Sequence, residues 1–326
     1  MEKYNIFTRK MQRNLNKALE KKVIVITGPT ATGKTALGAA LCLALGGEVI
    51  SADSMQVYRG MDIGTAKATR REMCGVPHHM LDVCPPGEDF SAARWVEMAA
   101  MYAEDIFARG KVPVIVGGTG LYIDSFLSGR SFAAAPEDGA LRSELSAQYD
   151  ALGGEAFREE LRKIDPARAE KLHPADKKRL VRAMEVYRLT GKTITQHDEE
   201  TKTVPPRWPS VRFALDFERR ETLYVRIDRR VDEMLRRGLM EEVKGLLRAG
   251  LSPHCTAMQA IGYKEAVAYL TGHMSYDRAA EEIKRASRRY AKRQLTWLRR
   301  DAALHWIVWQ DEPDIERGLA FIARFL

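Results

Sequence analysis

Val23-Ile24-Val25-Ile26-Thr27, followed without a break by Gly28-Pro29-Thr30-Ala31-Thr32-Gly33-Lys34-Thr35, decides how this chain folds. A short β-branched run reads as a strand, and the G-x-x-x-x-G-K-T loop after it reads as a phosphate cradle. Lys34 to Leu45 supplies the helix that such a loop needs, with Leu37, Leu41 and Leu45 at helical spacing and Gly46-Gly47 stopping the run. The two glycines let backbone amides turn toward one anion, and the new helix points its positive end at it. Lys34 adds a point charge, and the Thr35 hydroxyl can ligate Mg²⁺. A nucleoside triphosphate is the default occupant, but any diphosphate satisfies the same groups, so function must be argued from the other residues that reach the loop.

Working outward, Glu48 to Ala52 is a second short strand that delivers Asp53 to the carboxyl end of a sheet. Val112 to Val116 is a third, running into Gly117-Gly118-Thr119-Gly120. Between them, Met55 to Lys67 is too glycine-broken for one helix and reads as a working loop, and Ser91 to Arg109 is a long amphipathic helix. This alternation predicts an α/β fold, a P-loop-containing doubly wound parallel sheet whose ligands bind at the carboxyl ends of the strands. From Gly129 the strands cease, and charged helical windows follow, broken at Gly153-Gly154, Asp165-Pro166 and His173-Pro174. Prolines 205, 206 and 209 mark the return, after which Val211 to Phe217 and His305 to Trp309 resume the strand pattern among four helices (221–237, 240–249, 263–270 and 276–300). The expected organisation is an N-terminal extension (1–22), a P-loop core (23–129 and 205–326) and an inserted all-helical domain (130–204).

Lysine and arginine exceed aspartate and glutamate by 52 − 44 = 8 in 326 residues, which favours a polyanionic partner. Cys42, Cys74, Cys84 and Cys255 form no C-x-x-C pair, which points to a reducing, cytoplasmic setting. The spacing of Cys74, His78, His79 and Cys84 matches none of the common zinc patterns. No apolar run approaches a membrane span, and the basic first 22 residues lack the apolar centre of a secretory signal. A monomer is expected.

The stretch from Arg278 to Arg300 carries nine basic residues, and Arg285, Arg289 and Arg293 recur every four residues beside Tyr290 and Trp297. A helix packed by those aromatics would gather its guanidinium groups around a multiply charged anion. A nucleotide hydrolase needs an apolar strand ending in an acid, but Val112 to Val116 ends in Gly-Gly-Thr. Asp53 is the one carboxylate at a strand end, and beside a phosphate loop its economical role is a base for an incoming nucleophile. A small-molecule P-loop kinase would use the same parts, whereas an RNA-binding module without catalysis would not need Asp53.

Taken together, Gly28 to Thr35, Ser51 to Lys67, Pro77 to Asp82 and Gly117 to Tyr122 resemble, in order and spacing, the tRNA dimethylallyltransferases (tRNA isopentenyltransferases). Leu172 to Arg182, Ile261 to Lys264 and Ala291 to Arg299 resemble later blocks of that family, so the likeness spans roughly residues 22–310. The resemblance implies transfer of a dimethylallyl group from dimethylallyl diphosphate to the exocyclic amine of the adenosine 3′ of the anticodon, with Mg²⁺ at Thr35. It implies Asp53 as general base, with Ser54, Met55 and Gln56 beside the target nucleotide, and Thr119 near the reacting centre. Gly28, Pro29, Thr30, Ala31, Thr32, Gly33, Lys34, Thr35, Arg289 and Arg293 would hold the diphosphate. Arg142, Lys178, Arg179, Leu180, Val181, Arg182, Gln259, Ala260, Ile261, Gly262, Tyr263 and Lys264 would meet the anticodon stem-loop of tRNA. The extension before Val23 departs from the family pattern.

Overall fold

A computed structural model describes residues 21–129, 139–202 and 204–326, so all but the last two residues of the expected N-terminal extension lie outside the described residues. The described residues divide into two compact units, one holding 21–126 with 208–326 and the other lying within 127–207.

The first unit is built on a six-stranded sheet in which every pairing is parallel: β1 (Val23–Thr27), β2 (Glu48–Ala52), β3 (His78–His79), β4 (Pro113–Gly117), β5 (Ser210–Phe217) and β6 (Leu304–Trp309). Their spatial order is β3-β2-β4-β1-β5-β6. β1 is therefore central, hydrogen-bonded on both edges and covered on both faces, which is why all five of its residues are buried and its sequence shows no polar alternation. Helix α1 (Lys34–Leu45) lays Leu37, Leu41 and Leu45 onto this core, where Ile24, Ile26, Val114, Val116, Phe213, Leu215 and Trp309 meet them. Each such side chain contributes about 1.5–3 kcal/mol by leaving water.

Helices α2 (Arg70–Met73), α3 (Ala92–Ala108) and α4 (Gly120–Leu127) fill the first half of the chain, and Ser91 caps α3 by accepting the Arg94 amide. After β5 come α10 (Arg220–Arg236), α11 (Leu239–Arg248), α12 (Tyr263–Leu270), α13 (Tyr276–Leu298) and, beyond β6, α14 (Ile315–Ile322). Four elements go beyond the sequence expectation, α2 being a single four-residue turn. β3 is only two residues long, and α4 and α14 are short helices without the repeated leucine spacing that marks α1.

The amino end of the sheet is closed by charge. Glu48 is 1% exposed, and its carboxylate accepts from the Arg109 guanidinium, from Lys111 at 2.7 Å and from His79 Nε2 at 2.7 Å. These hydrogen bonds, Arg109 foremost, hold the Glu48 carboxyl well below the usual carboxylate range.

The second unit contains α5 (Gly139–Leu152), α6 (Gly154–Ile164), α7 (Pro166–Lys171), α8 (Lys177–Thr190) and α9 (Ile194–Lys202). Leu145, Phe157, Leu161, Leu172, Leu180, Val181 and Met184 form its core. Asp165, 3% exposed, starts α7 by accepting the Arg168 amide and ties α9 by accepting the Thr195 amide and hydroxyl.

Candidate active site

The strand register assembles the site. Thr27, the last residue of β1, stands opposite Gly117 of β4 and Ala214 of β5, and Gly117 stands opposite Ala52, the last residue of β2. Three loops therefore leave the sheet from one rung: the phosphate loop, the Asp53 turn and the Gly118-Thr119 turn. In a doubly wound sheet this is the crevice where the strand order reverses.

Within the phosphate loop, the Pro29 carbonyl accepts from the Thr32 hydroxyl at 2.8 Å and from the Lys34 ammonium at 2.7 Å. Outside supports fix its other carbonyls. Arg226 Nε donates to Ala31 O at 3.2 Å, where Ala31 has a φ of 66°, and the Trp309 indole donates to Thr32 O at 3.0 Å. Gly33 starts α1 in the left-handed region, and the Thr35 hydroxyl in the first turn has no hydrogen-bond partner among the described residues. Burial and the nearby Arg230 guanidinium push the Lys34 ammonium down to about 7, against the opposing pull of Asp53.

Asp53 Oδ1 accepts the Met55 amide at 2.9 Å and the Gln56 amide at 3.3 Å, a local turn that fixes the carboxylate while leaving Oδ2 without a partner among the described residues. The Ser54 amide donates to Thr119 Oγ1 at 3.2 Å, and the Thr119 amide donates to Ala52 O at 3.1 Å. Thr119 thus ties the Asp53 turn to the end of β4. Gln56 turns its side chain away from solvent, accepting from Ser51 and donating to the carbonyls of Thr65 and Ala66.

Three residues complete the site without being expected there from the sequence, in which Tyr290 reads only as an aromatic that packs its helix. Gln294, 8% exposed, accepts the Thr30 amide at 3.1 Å and donates to Gly118 O at 2.9 Å, so one amide side chain clamps two of the three loops. A side chain at position 118 would collide with it, since an added Cβ would lie 2.2 Å from Gln294 Nε2. Tyr290, one turn earlier, lies beside Thr119 and Gln294, and burial with the Asp53 charge pushes its phenol up to about 12. Arg230 on α10 interacts electrostatically with both Lys34 and Asp53, burial lowers its guanidinium from its ordinary value, and its Nε–H is buried without a hydrogen-bond partner among the described residues. A signal was present for two of them. Gln294 occupies the apolar stripe Ala291-Leu295-Leu298 of its helix, and Arg226 and Arg230 lie four apart beside the buried stripe Leu223-Ile227-Val231.

Other expected residues divide by environment. Arg289 and Arg293 are exposed on α13 and pair with no carboxylate among the described residues, Arg293 lying 5.6 Å from the Tyr290 ring centroid. Arg285, grouped with them by spacing, is instead tied to Glu282. In the helical unit, Lys178 and Arg179 are exposed, but Leu180 and Val181 lie in the core, so their side chains face other apolar groups rather than a ligand. Arg142 grips the buried Glu185 with two hydrogen bonds at 3.0 and 3.1 Å, and Arg182 donates to it at 2.7 Å, so both guanidinium groups are committed to an internal partner. Of residues 259–264, Gln259 and Lys264 are exposed, Ile261 is half-buried, and Ala260, Gly262 and Tyr263 are buried.

A family model described as IPP transferase matches residues 56–301, and a second, described as isopentenyl transferase, matches residues 21–84. The chain is 45% identical to a tRNA dimethylallyltransferase of Pelotomaculum thermopropionicum, over 94% of this chain and 96% of that one. Its fold matches the crystal structure of the tRNA isopentenylpyrophosphate transferase of Bacillus halodurans with a TM-score of 0.70 and 43% identity, covering 94% and 95% of the two chains. It also matches a eukaryotic dimethylallyltransferase caught acting on tRNA, with a TM-score of 0.77 and 31% identity over 89% of this chain and 74% of that one. The chain belongs to the IPP transferase family.

Proposed function

We propose that this IPP transferase moves a dimethylallyl group from dimethylallyl diphosphate to the exocyclic N6 amine of the adenosine 3′ of the anticodon in tRNA, by direct displacement of diphosphate. The observation that carries this reading is the rung at Thr27, Gly117 and Ala52, which brings a phosphate loop and a single strand-end carboxylate together while β4 ends in Gly-Gly-Thr rather than in an acid.

The adenine amine is a poor nucleophile because its lone pair is delocalised into the ring. As it bonds to C1 of the allyl group, the C1–O bond breaks and the diphosphate departs with the electron pair. Asp53 Oδ2 takes the N6 proton. Negative charge on the leaving group is met by the loop amides, Lys34 and Arg230, whose partnerless Nε–H is the donor expected of a group that waits for an anion. Arg289 and Arg293 extend that positive field. Thr119 and Tyr290 hold the Asp53 turn on its rung. The free Thr35 hydroxyl in the first turn of α1 suits Mg²⁺, which supplies charge neutralisation at the diphosphate when bound. Stacked in its loop, the adenosine must be turned outward to reach Asp53, and Lys178, Arg179, Gln259 and Lys264 are the exposed side chains proposed to grip the RNA. The enzyme is proposed to act in the cytoplasm as a monomer.

Purified protein mixed with labelled dimethylallyl diphosphate, Mg²⁺ and bulk tRNA should label the tRNA without ATP. A requirement for ATP, or ATP hydrolysed in step with product, would turn the reading toward a small-molecule kinase.

A further inference from the structure

Loop Met55–Lys67 carries a feature outside the chemistry above. The Glu242 carboxylate, on α11, accepts three successive main-chain N–H groups, those of Asp62 at 2.9 Å, Ile63 at 2.7 Å and Gly64 at 3.2 Å, together with the Tyr263 hydroxyl at 2.6 Å. Consecutive amides converging on one acid form a nest of the kind that holds phosphates in other proteins, but here a side chain of the same chain fills it. Tyr263 is fully buried, and burial beside Glu242 pushes its phenol far above the usual range, so it stays a donor. The approach is close enough to exclude any side chain at position 64, because an added Cβ would lie 2.4 Å from the Tyr263 ring and 2.8 Å from Leu239.

From this nest a short relay runs to the reacting centre. The residues that follow it, Thr65 and Ala66, give their carbonyls to the Gln56 side-chain amide, and the Gln56 main-chain amide donates to Asp53 Oδ1. Lys67 pins the far end of the loop, donating to Tyr58 O at 2.8 Å and to Asp62 and Asp82 at 2.6 Å each. On its other side, Glu242 holds the first residue of α12 and hence the Gln259–Lys264 segment.

We infer that Glu242, with Tyr263, is a positioning residue that sets the Asp53–Gln56 turn and the Gln259–Lys264 segment as one surface for the incoming nucleoside. This rests on the proposed role of the Asp53–Gln56 turn in receiving that nucleoside. Glu242→Gln keeps the shape but replaces one acceptor oxygen by an NH₂ that opposes the N–H and O–H donors. In the full chain, its kcat/KM for an anticodon stem-loop RNA should fall roughly tenfold or more, since misplacements of an ångström cost up to 10²-fold. Its KM for dimethylallyl diphosphate should stay within about twofold, because the phosphate loop is supported by other residues. Tyr263→Phe, which removes one of four bonds, should shift RNA kinetics in the same direction by a few-fold.

Unchanged RNA kinetics in Glu242→Gln, or diphosphate affinity falling in parallel with RNA affinity, would overturn the inference. Should Glu242→Gln fail to fold, unchanged RNA kinetics in Tyr263→Phe would do so. Gln56→Ala separates the two ideas. If it leaves RNA kinetics intact, the turn itself does not receive the nucleoside. If it impairs them while Glu242→Gln does not, only the positioning role is lost.

Discussion

The two ends of the same parallel sheet treat charge in opposite ways. At the amino end, the Glu48 carboxylate is buried with Arg109, Lys111 and His79 around it, and its need for partners is met in full. At the carboxyl end, Lys34 and Arg230 face each other with Asp53 as their nearby counter-charge, the Lys34 ammonium is depressed, and the Arg230 Nε–H is unpaired. The first arrangement stabilises the fold and has no capacity left for a ligand. The second costs stability and is completed only by an anion, which is how a binding site differs from a structural ion cluster.

The largest effect should come from the carboxyl end. Asp53→Asn should bind dimethylallyl diphosphate and tRNA and still lose about 10²–10⁴-fold in single-turnover rate, the usual weight of a general base. Near-normal turnover would remove Asp53 from the chemistry and dissolve the contrast.

Next is the amino end. Glu48→Ala should lower stability by about 3 kcal/mol, toward the lower end for a broken buried pair because Arg109 and Lys111 can reach water. Turnover per folded molecule should not change. Because the folded Glu48 carboxyl lies below its unfolded value of about 4.3, this contribution is present above that pH and is lost as pH falls. Denaturant titrations of both proteins at pH 7 and near pH 3 should therefore show the gap narrowing at the acid end without closing, because the folded carboxyl stays ionised there.

Third, Lys34 should betray its depressed value on binding. An ammonium near 7 in the free site must be charged to meet a diphosphate. Pyrophosphate binding above pH 7 should then take up a proton, and apparent affinity should weaken by up to about tenfold per pH unit. Calorimetry in buffers of different ionisation enthalpy measures this directly, and binding heats independent of buffer would contradict it.

The smallest effect repeats the contrast inside the helical unit. Lys178→Ala should reduce the salt slope of tRNA binding by about one and leave stability untouched. Arg142→Ala, which leaves the buried Glu185 with Arg182 as its remaining cation, should lower stability and leave the slope nearly unchanged.

What the sequence reveals of this molecule follows a physical rule. Val23–Thr27, Glu48–Ala52 and Pro113–Gly117 are legible because strands buried on both faces must be apolar throughout, and Asp53 and Thr119 are legible because they follow such strands directly. The helical unit is legible through its glycine and proline breaks, at which α5, α6 and α7 end or begin. Gln294 and Arg230 are half-legible, because each sits at helical spacing beside a buried apolar stripe, but the stripe does not name their partners. Tyr290 and Glu242 are not legible as site residues, because each reaches its partners across the fold; nothing local separates Glu242 from Glu241, and only the tertiary partner does. The same holds for Arg142 and Arg182, whose charges point to RNA until Glu185 is seen between them.

The strand order also governs how the protein is made. β1 is flanked by β4 on one edge and by β5 on the other, and Val23 pairs with Ser210, so the strand that ends in the phosphate loop gains its second neighbour only after the whole helical unit has been synthesised. On the ribosome, β1, β2 and β4 can meet early, but Trp309 and Arg226, which hold the Thr32 and Ala31 carbonyls, emerge later still. The nascent chain therefore carries a phosphate loop that stays unbraced until the helical unit, Arg226 and Trp309 have all emerged, and firm anion affinity follows them.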